Sequence, residues 1–227
     1  MTAIAYDYRA DRVMLASDSA VFDDAGAHHG YGPKIHAFPT SRSAFFSRGK
    51  SHISLRVVQL LLIKPTLHTL EDQIEALPKY LTLASREFYK GHGLDVPDGN
   101  YYEALIVGWS EAEQRMRSAS FYALDGFVPH TEHDKSYGGP FCWPLIPPEC
   151  MPMDRSADTT EQKLLAVLNA IDTWAIAHAD EINNYRLGGD VQCVTLHEAS
   201  ISYRTIGTVG LQPAKPKAAG KPKKGRR

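Results

Sequence analysis

The stretch MTAIAYDYRADRVMLASDSA, residues 1–20, contains the pattern that decides the fold. Residues 4–8 and 13–17 are short runs rich in apolar and aromatic side chains, and the polar residues 9–12 separate them. Two such runs around a polar turn are typical of a β-hairpin. Asp18 follows the second run directly, so the sequence predicts that its side chain lies beside the beginning of the first strand.

Two further residues stand in comparable positions. Thr2 precedes the first predicted strand, and Lys34 begins another at residues 34–38. Asp18 and Lys34 lie 16 and 32 residues after Thr2. Because strand ends can converge in a folded sheet, these three side chains are predicted to meet.

The three residue types suit one kind of chemistry. Removal of Met1 would give Thr2 a free α-amine beside its own hydroxyl. A terminal amine has a reference pKa of about 7.7, against about 10.4 for lysine, so it can act as a base near neutral pH. A lysine held charged by an aspartate would lower the pKa of the hydroxyl and keep the amine neutral. Thr2, Asp18 and Lys34 are therefore candidate catalytic residues.

With these residues in place, the segment from Thr2 to Gly49 resembles the N-terminal part of proteasome β-type subunits and their bacterial relatives. These are threonine-dependent N-terminal-nucleophile hydrolases. The resemblance is carried by Met1-Thr2, by the strand end at residues 16–19, by residues 34–36 and by the small-residue strand that ends at Gly49.

The resemblance implies a role for each matching residue. Thr2 would be nucleophile and base, Lys34 its activating cation and Asp18 the partner of Lys34. Gly49 would donate its amide to the oxyanion, although the interval from Lys34 to Gly49 is one residue longer than is usual in that family. The substrate pocket would lie near three residues, Val21, Gly32 and Phe46.

The later segments depart from that family. Its members place a serine before two glycines as a proton relay, whereas Tyr137 stands at that position here. Ser136 either substitutes by a shift of one residue or is a turn residue. Asn184 and Leu187 replace an aspartate and a serine that support the nucleophile in many members. These departures weaken the prediction of peptidase activity more than the prediction of fold.

The pattern changes from strands to helices after Gly49. Over the whole chain, the predicted order is strands, two helices, strands, one helix and strands, which indicates an α+β fold. Ser51 is predicted to cap a helix that runs to about Lys64, and Thr69 with Asp72 a second, in which Pro78 should cause a kink or a boundary. Asp158 or Thr159 is predicted to cap the third. The resemblance implies, more specifically, a four-layer αββα sandwich.

Charge divides the chain in two. Seven of the 25 Lys and Arg residues lie in residues 212–227, together with none of the 26 Asp and Glu residues. The remaining 18 basic and 26 acidic residues give residues 1–211 a formal charge near −8. We expect a single domain at 1–211 and a disordered basic tail at 212–227. The tail is predicted to be solvated or to dock a partner, with weak, nonspecific nucleic-acid binding as the alternative.

Other classes of site are not indicated. The three cysteines show no paired spacing and are predicted to be free thiols in a reducing compartment. The acidic and histidine side chains of residues 130–134 would face opposite sides of a strand, so neither a metal nor a cofactor is predicted. The longest apolar run, residues 57–63, is interrupted and too short to span a bilayer, which predicts a cytoplasmic protein.

The sequence therefore predicts a threonine peptidase that cleaves peptide bonds through an acyl-enzyme on Thr2. The resemblance implies peptide or protein substrates, a homo-oligomeric ring and an ATP-dependent unfoldase as partner. Two alternatives remain open, a noncatalytic ring or scaffold subunit and an amidohydrolase of the same fold that acts on a small molecule.

Overall fold

The computed structural model describes most of the chain. The described residues are 3–22, 27–64, 66–94, 102–131, 140–143, 147–152, 158–178 and 187–210, with the backbone alone at 140–143 and 148. The predicted tail at 212–227 lies outside them.

Twelve strands occur in the described residues. In chain order they are β1 (Ile4–Tyr8), β2 (Arg12–Ser17), β3 (Ala20–Phe22), β4 (His28–Tyr31), β5 (Ile35–Phe38), β6 (Ser43–Arg48), β7 (Glu103–Ser110), β8 (Arg115–Tyr122), β9 (His130–Thr131), β10 (Pro140–Trp143), β11 (Gly188–His197) and β12 (Ile201–Gly210).

The strands form three antiparallel sheets. The first has the order β10-β1-β2-β11-β12, the second β5-β6-β7-β8-β9, and β3 pairs with β4 in a small third sheet. The predicted hairpin of β1 and β2 is confirmed, with Ile4 opposite Ser17. This register places the residue after β2, Asp18, at the same end of the sheet as the beginning of the chain.

Three helices occur in the described residues, α1 (Ser51–Leu62), α2 (Leu70–Gly91) and α3 (Thr160–Ala177). The capping box that Thr69 and Asp72 predict at α2 is confirmed, and Thr159 rather than Asp158 caps α3. The predicted cap at Ser51 is wrong, because Ser51 is the first helical residue and Lys50 precedes it without a side-chain cap.

Proline does not interrupt α2. Pro78 was expected to kink the helix or mark a boundary, but α2 continues through it as one element from Leu70 to Gly91. The predicted helix boundary at Pro78 is therefore wrong. Thr82, one turn later, donates its hydroxyl to the Pro78 carbonyl at 2.8 Å.

Three apolar clusters hold the elements together. Side chains of α1 and α2 pack on the second sheet, those of α3 pack on the first sheet, and a third cluster that includes Ile4, Leu15 and Phe46 joins the two sheets. At about 25 cal/mol per Å² of apolar surface, such burial is the main stabilising term.

The predicted four-layer αββα sandwich is wrong. The described residues form a structure dominated by strands, with three sheets and three α-helices, two of them on the second sheet and one on the first. Only α3 covers the first sheet among the described helices. The sequence pattern did not reveal the β3–β4 hairpin, because β3 has three residues and β4 is the polar run His28–Tyr31.

Candidate active site

The site forms where β1 begins and β2 ends. Ser17 donates its hydroxyl to the Ala3 carbonyl oxygen at 2.7 Å, and both residues are buried. The bond ties the residue adjacent to Thr2 to the last residue of β2. Thr2 itself lies outside the described residues. The sequence analysis did not single out Ser17, although a serine directly before the candidate aspartate was a visible signal.

Asp18 and Lys34 are brought together as predicted from their spacing. Lys34 Nζ lies 2.8 Å from Asp18 Oδ1, in a pair whose side chains are 9% and 0% exposed. The second carboxylate oxygen of Asp18 accepts the Gly188 amide at 3.1 Å. Charge-assisted hydrogen bonds of this kind are stronger than neutral ones. Asp18 is therefore fixed at both oxygens, one on a cation and one on the backbone of β11.

Burial alters the acid–base behaviour of Lys34. Loss of contact with water lowers the pKa of the Lys34 amine from its ordinary value, and the charge and hydrogen bond of Asp18 raise it in opposition. Desolvation is the larger effect. Lys34 is thus an amine with little access to water, and its hydrogen bond to Asp18 supports the charged form.

The β3–β4 hairpin closes one side of the site. Gly189, the second residue of β11, has a φ of +82°, and a Cβ atom there would lie 2.6 Å from Ser19 Oγ and 2.5 Å from the Tyr31 ring. The Gly32 amide donates to the Ser19 carbonyl at 2.8 Å. The hairpin can approach β11 this closely only because residue 189 has no side chain.

This contact can be tested with a matched pair of glycines. Gly189→Ala should lower the free energy of unfolding by about 1–3 kcal/mol more than Gly126→Ala, because overpacking adds to the strain of a positive φ. Gly126 has a similar φ of +74° and nothing within 4 Å of an added Cβ. Urea unfolding measures both variants. Equal losses would show that Gly189 does not support the hairpin.

Gly49 lies between β6 and α1 with a φ of +132°, a conformation that L side chains rarely adopt. Three partly buried hydroxyls connect the elements on either side of this turn. Ser47 and Ser54 share a hydrogen bond of 2.5 Å, and Tyr102 donates to Ser54 Oγ at 3.1 Å. Burial raises the pKa of Tyr102 to about 12, so it remains a donor at neutral pH. These contacts join the beginning of α1 to β6.

The remaining predicted residues are distributed differently. Val21 lies in β3 and Gly32 directly after β4, where the Val21 methyl is 4.0 Å from the position of a Gly32 Cβ. Phe46 is 1% exposed and belongs to the core between the sheets, so its side chain does not line an open pocket. Ser136 and the departures Tyr137 and Asn184 lie outside the described residues.

Leu187 is the departure that the structure does describe. Its side chain is fully buried in the cluster under α3, and its amide donates to Asp172 Oδ1 at 3.3 Å. A leucine here anchors the start of β11 by packing, where a serine would add a hydroxyl. Sequence reasoning did not find Asp172, because an aspartate inside a helical pattern is usually exposed.

No group of three or more His, Cys, Asp or Glu side chains that could hold a metal ion occurs in the part of the chain that the structure describes. Cys150 and Cys193 are free thiols, and burial raises the pKa of Cys193 to about 11. Within the same described ranges, no helix is both long enough and apolar enough to cross a bilayer.

Solved structures of other proteins have the same fold. One is "Anbu (Gly-1) mutant" from Hyphomicrobium sp. strain MC1, with a TM-score of 0.58 and 15% identity over 91% of this chain and 88% of that chain. Another is "Anbu (ancestral beta-subunit)" from Yersinia bercovieri, with a TM-score of 0.58 and 14% identity over 90% of this chain and 87% of that chain.

Sequence comparison gives no such likeness. No protein-family profile and no curated protein matches the chain. The membership in the proteasome β-type family that the N-terminal residues implied is therefore corrected to a likeness of fold, since an identity of 14–15% shows the fold alone. The reason is that four short motifs within residues 1–49 are a small share of a 227-residue chain.

Proposed function

We propose that this protein is a threonine-type amide hydrolase that cleaves peptide bonds with Thr2 as nucleophile after removal of Met1. The observation that carries the proposal is the buried Lys34–Asp18 pair, fixed by the Gly188 amide at the end of the sheet where Ala3 is bonded to Ser17. A buried ion pair is costly to desolvate and gives little net stability. Chemistry at Thr2 would explain its presence.

The proposed reaction has two steps. The Thr2 hydroxyl attacks the substrate carbonyl carbon while the Thr2 α-amine takes the hydroxyl proton. The tetrahedral intermediate collapses, the C–N bond breaks, and the same amine returns the proton to the leaving nitrogen. Water, deprotonated by the amine, then attacks the ester and releases the acid product together with free Thr2. No other reactant is needed.

The surrounding groups supply electrostatic stabilisation. The Lys34 cation would lower the pKa of the Thr2 hydroxyl and disfavour protonation of the α-amine, and Asp18 holds that cation in place. The Gly49 amide would donate to the oxyanion, a role that suits a rigid backbone donor. The hydrogen bonds among the hydroxyls of Ser47, Ser54 and Tyr102 hold the beginning of α1 to β6, the two elements that flank Gly49.

We further propose that the chain acts as a subunit of a homo-oligomer that degrades peptides or proteins delivered by an ATP-dependent unfoldase. Support comes from the fold, which is shared with a protein whose name describes it as an ancestral beta-subunit. Mass photometry of the purified protein would reveal a discrete assembly. A monomer at all concentrations would contradict this part of the proposal.

A peptide library tests the activity. The Met1-free protein should release fragments from unstructured peptides longer than about six residues, and the products should be identified by mass spectrometry. Cleavage of simple amides without any peptide cleavage would favour the small-molecule amidohydrolase. Turnover of neither class, in a protein that lacks Met1, would favour the noncatalytic subunit.

The pH dependence of turnover should reflect Lys34. The kcat/KM value should rise with pH as the α-amine loses its proton near about 7.7 and fall again as Lys34 loses its own. Because burial lowers the pKa of Lys34, this second limb should lie below 10.5. Asp18 raises the pKa of Lys34, so Asp18→Asn should move the limb to lower pH. A kcat/KM value that still increases at pH 10.5 would contradict the role of the Lys34 cation.

A further inference from the structure

Two buried carboxylates hold two consecutive backbone amides. Asp18 Oδ2 accepts the Gly188 amide at 3.1 Å, and Asp172 Oδ1 accepts the Leu187 amide at 3.3 Å. Asp18 is 0% exposed and Asp172 is 8% exposed. The first carboxylate belongs to the proposed site, whereas nothing in the proposed mechanism uses the second.

The position of Asp172 in α3 is unusual for an aspartate. It lies on the buried face of the helix, one residue after Ile171 and four after Leu168, both of which are fully buried. Aspartate is a weak helix former, and burial of a carboxylate is costly unless it is hydrogen-bonded. An apolar side chain would serve helix packing better. The bond to the Leu187 amide gives the carboxylate a role that an apolar side chain could not fill.

The dipeptide Leu187–Gly188 is confined on its other sides as well. The Leu187 side chain is buried under α3. At the end of β12, Gly210 has a φ of +59°, and a Cβ atom there would lie 2.2 Å from the Leu187 carbonyl oxygen and 3.2 Å from Asp172 Oδ2. A glycine at 210 thus leaves just enough room for the Asp172–Leu187 contact.

A chain of hydrogen bonds connects α3 with the proposed site. Asp172 binds the Leu187 amide, the next amide binds Asp18 Oδ2, and Asp18 Oδ1 binds Lys34 Nζ at 2.8 Å. If the Leu187–Gly188 peptide rotated, the Gly188 amide would leave Asp18 and the carboxylate could turn away from Lys34. Catalysis is sensitive to displacements of this size.

We propose that Asp172 is a positioning residue for the proposed active site: it fixes the Leu187 amide, and so the start of β11, where the neighbouring Gly188 amide holds Asp18 with Oδ1 presented to Lys34. The inference rests on the proposed function for its catalytic consequence. Its structural core, the dependence of the Lys34–Asp18 contact on Asp172, can be measured without substrate.

The experiment follows the Lys34 amine by NMR titration of ¹⁵N-labelled protein, alongside peptide turnover. Asp172→Leu removes the acceptor and keeps the number and branching of the side-chain heavy atoms. We expect the pKa of Lys34 to fall by about one unit as Asp18 loses its fixed position. We also expect kcat to fall on the order of 10–100-fold with little change in KM. Asp172→Asn keeps an oxygen acceptor for the Leu187 amide and should retain both wild-type values.

Two controls separate positioning from general loss of structure. Leu168→Ala weakens the packing of α3 and leaves Asp172 in place, so it should lower Tm without moving the Lys34 titration. Gly210→Ala provides a second route that does not alter Asp172, because its Cβ would press on the Leu187 carbonyl. Gly210→Ala should lower the pKa of Lys34 as Asp172→Leu does. Gly207 also lies in β12 with a positive φ, but a Cβ atom there would contact the Leu165 side chain, so Gly207→Ala should leave the pKa of Lys34 unchanged.

The outcomes distinguish the two proposals. An unchanged Lys34 titration in both Asp172→Leu and Gly210→Ala would overturn the inference, as would an Asp172→Asn variant that behaves like Asp172→Leu. If Asp172→Leu does not fold, Gly210→Ala decides the question. A shifted Lys34 titration in a protein without any peptide turnover would support the positioning role and count against the proposed function.

Discussion

Replacement of Thr2 by alanine is expected to reduce peptide turnover by at least about 10⁴-fold, to the rate of the uncatalysed reaction plus any contribution from binding alone. The variant keeps the α-amine and loses the hydroxyl together with the γ-methyl group. Its effect should therefore appear in kcat, and an unchanged Tm would show that the fold is intact. Initial-rate kinetics with the best library peptide measure the change.

Thr2→Ser is the matched control for this variant. Serine retains the hydroxyl and is small enough to permit removal of Met1, so it should keep turnover within about 10-fold to 100-fold of the wild type. Equal turnover by the wild type and Thr2→Ala would exclude Thr2 as the nucleophile. Loss of turnover in both variants together with a lower Tm would show that residue 2 acts through structure.

Removal of Asp18 is expected to have the largest effect on stability. Asp18→Ala leaves the Lys34 amine in a site where its side chain is 9% exposed, and breaking one partner out of a buried pair costs about 3–5 kcal/mol. It should also lower turnover by about 10²-fold to 10³-fold, since the cation that supports the nucleophile is no longer fixed. Urea unfolding and initial rates measure the two effects separately.

The double variant Asp18→Ala/Lys34→Met distinguishes a buried charge from a lost contact. It removes the unpaired cation and should recover most of the lost stability without recovering turnover. The exposed pair Arg56–Glu87, with Arg56 Nε 2.7 Å from Glu87 Oε2, is the control for an ion pair in contact with water. Glu87→Ala should leave the free energy of unfolding nearly unchanged. An Asp18→Ala variant as stable as Glu87→Ala would contradict the structural account of the site.

The parts of the structure that sequence predicted depend on local signals. The hairpin of β1 and β2 follows from two apolar runs around a polar turn, and α2 begins at Thr69 because Thr69 and Asp72 form a capping box. The approach of Asp18 to Lys34 followed from their positions at strand ends. In each case the determinant lies within a few residues of the element that it predicts.

The parts that sequence missed depend on contacts between distant segments. Gly188 meets Asp18 across 170 residues, and Leu187 meets Asp172 across an interval of 15 that includes residues outside the described structure. The β3–β4 hairpin lacks an apolar alternation because one of its faces meets Gly189 rather than a core. The layer arrangement was wrong for the same reason, since packing of whole elements decides it.

Phe46 shows how a resemblance can assign a residue to the wrong environment. The resemblance implied that it lines a pocket, but its side chain points into the core between the sheets. Alternate residues of a strand face opposite sides, so an interval that is one residue longer than usual reverses the direction of a side chain. The extra residue between Lys34 and Gly49 was visible in the sequence, and its consequence could have been predicted.

The role of Thr2 as an exposed N-terminal nucleophile is tested most directly by intact-mass spectrometry before and after treatment with a β-lactone. We expect protein from its native host to lack the mass of Met1 and to gain one acyl group per chain, located on Thr2 by peptide mapping. Thr2→Ala should gain none. A chain that retains Met1, or an acyl group that also forms on Thr2→Ala, would contradict the account.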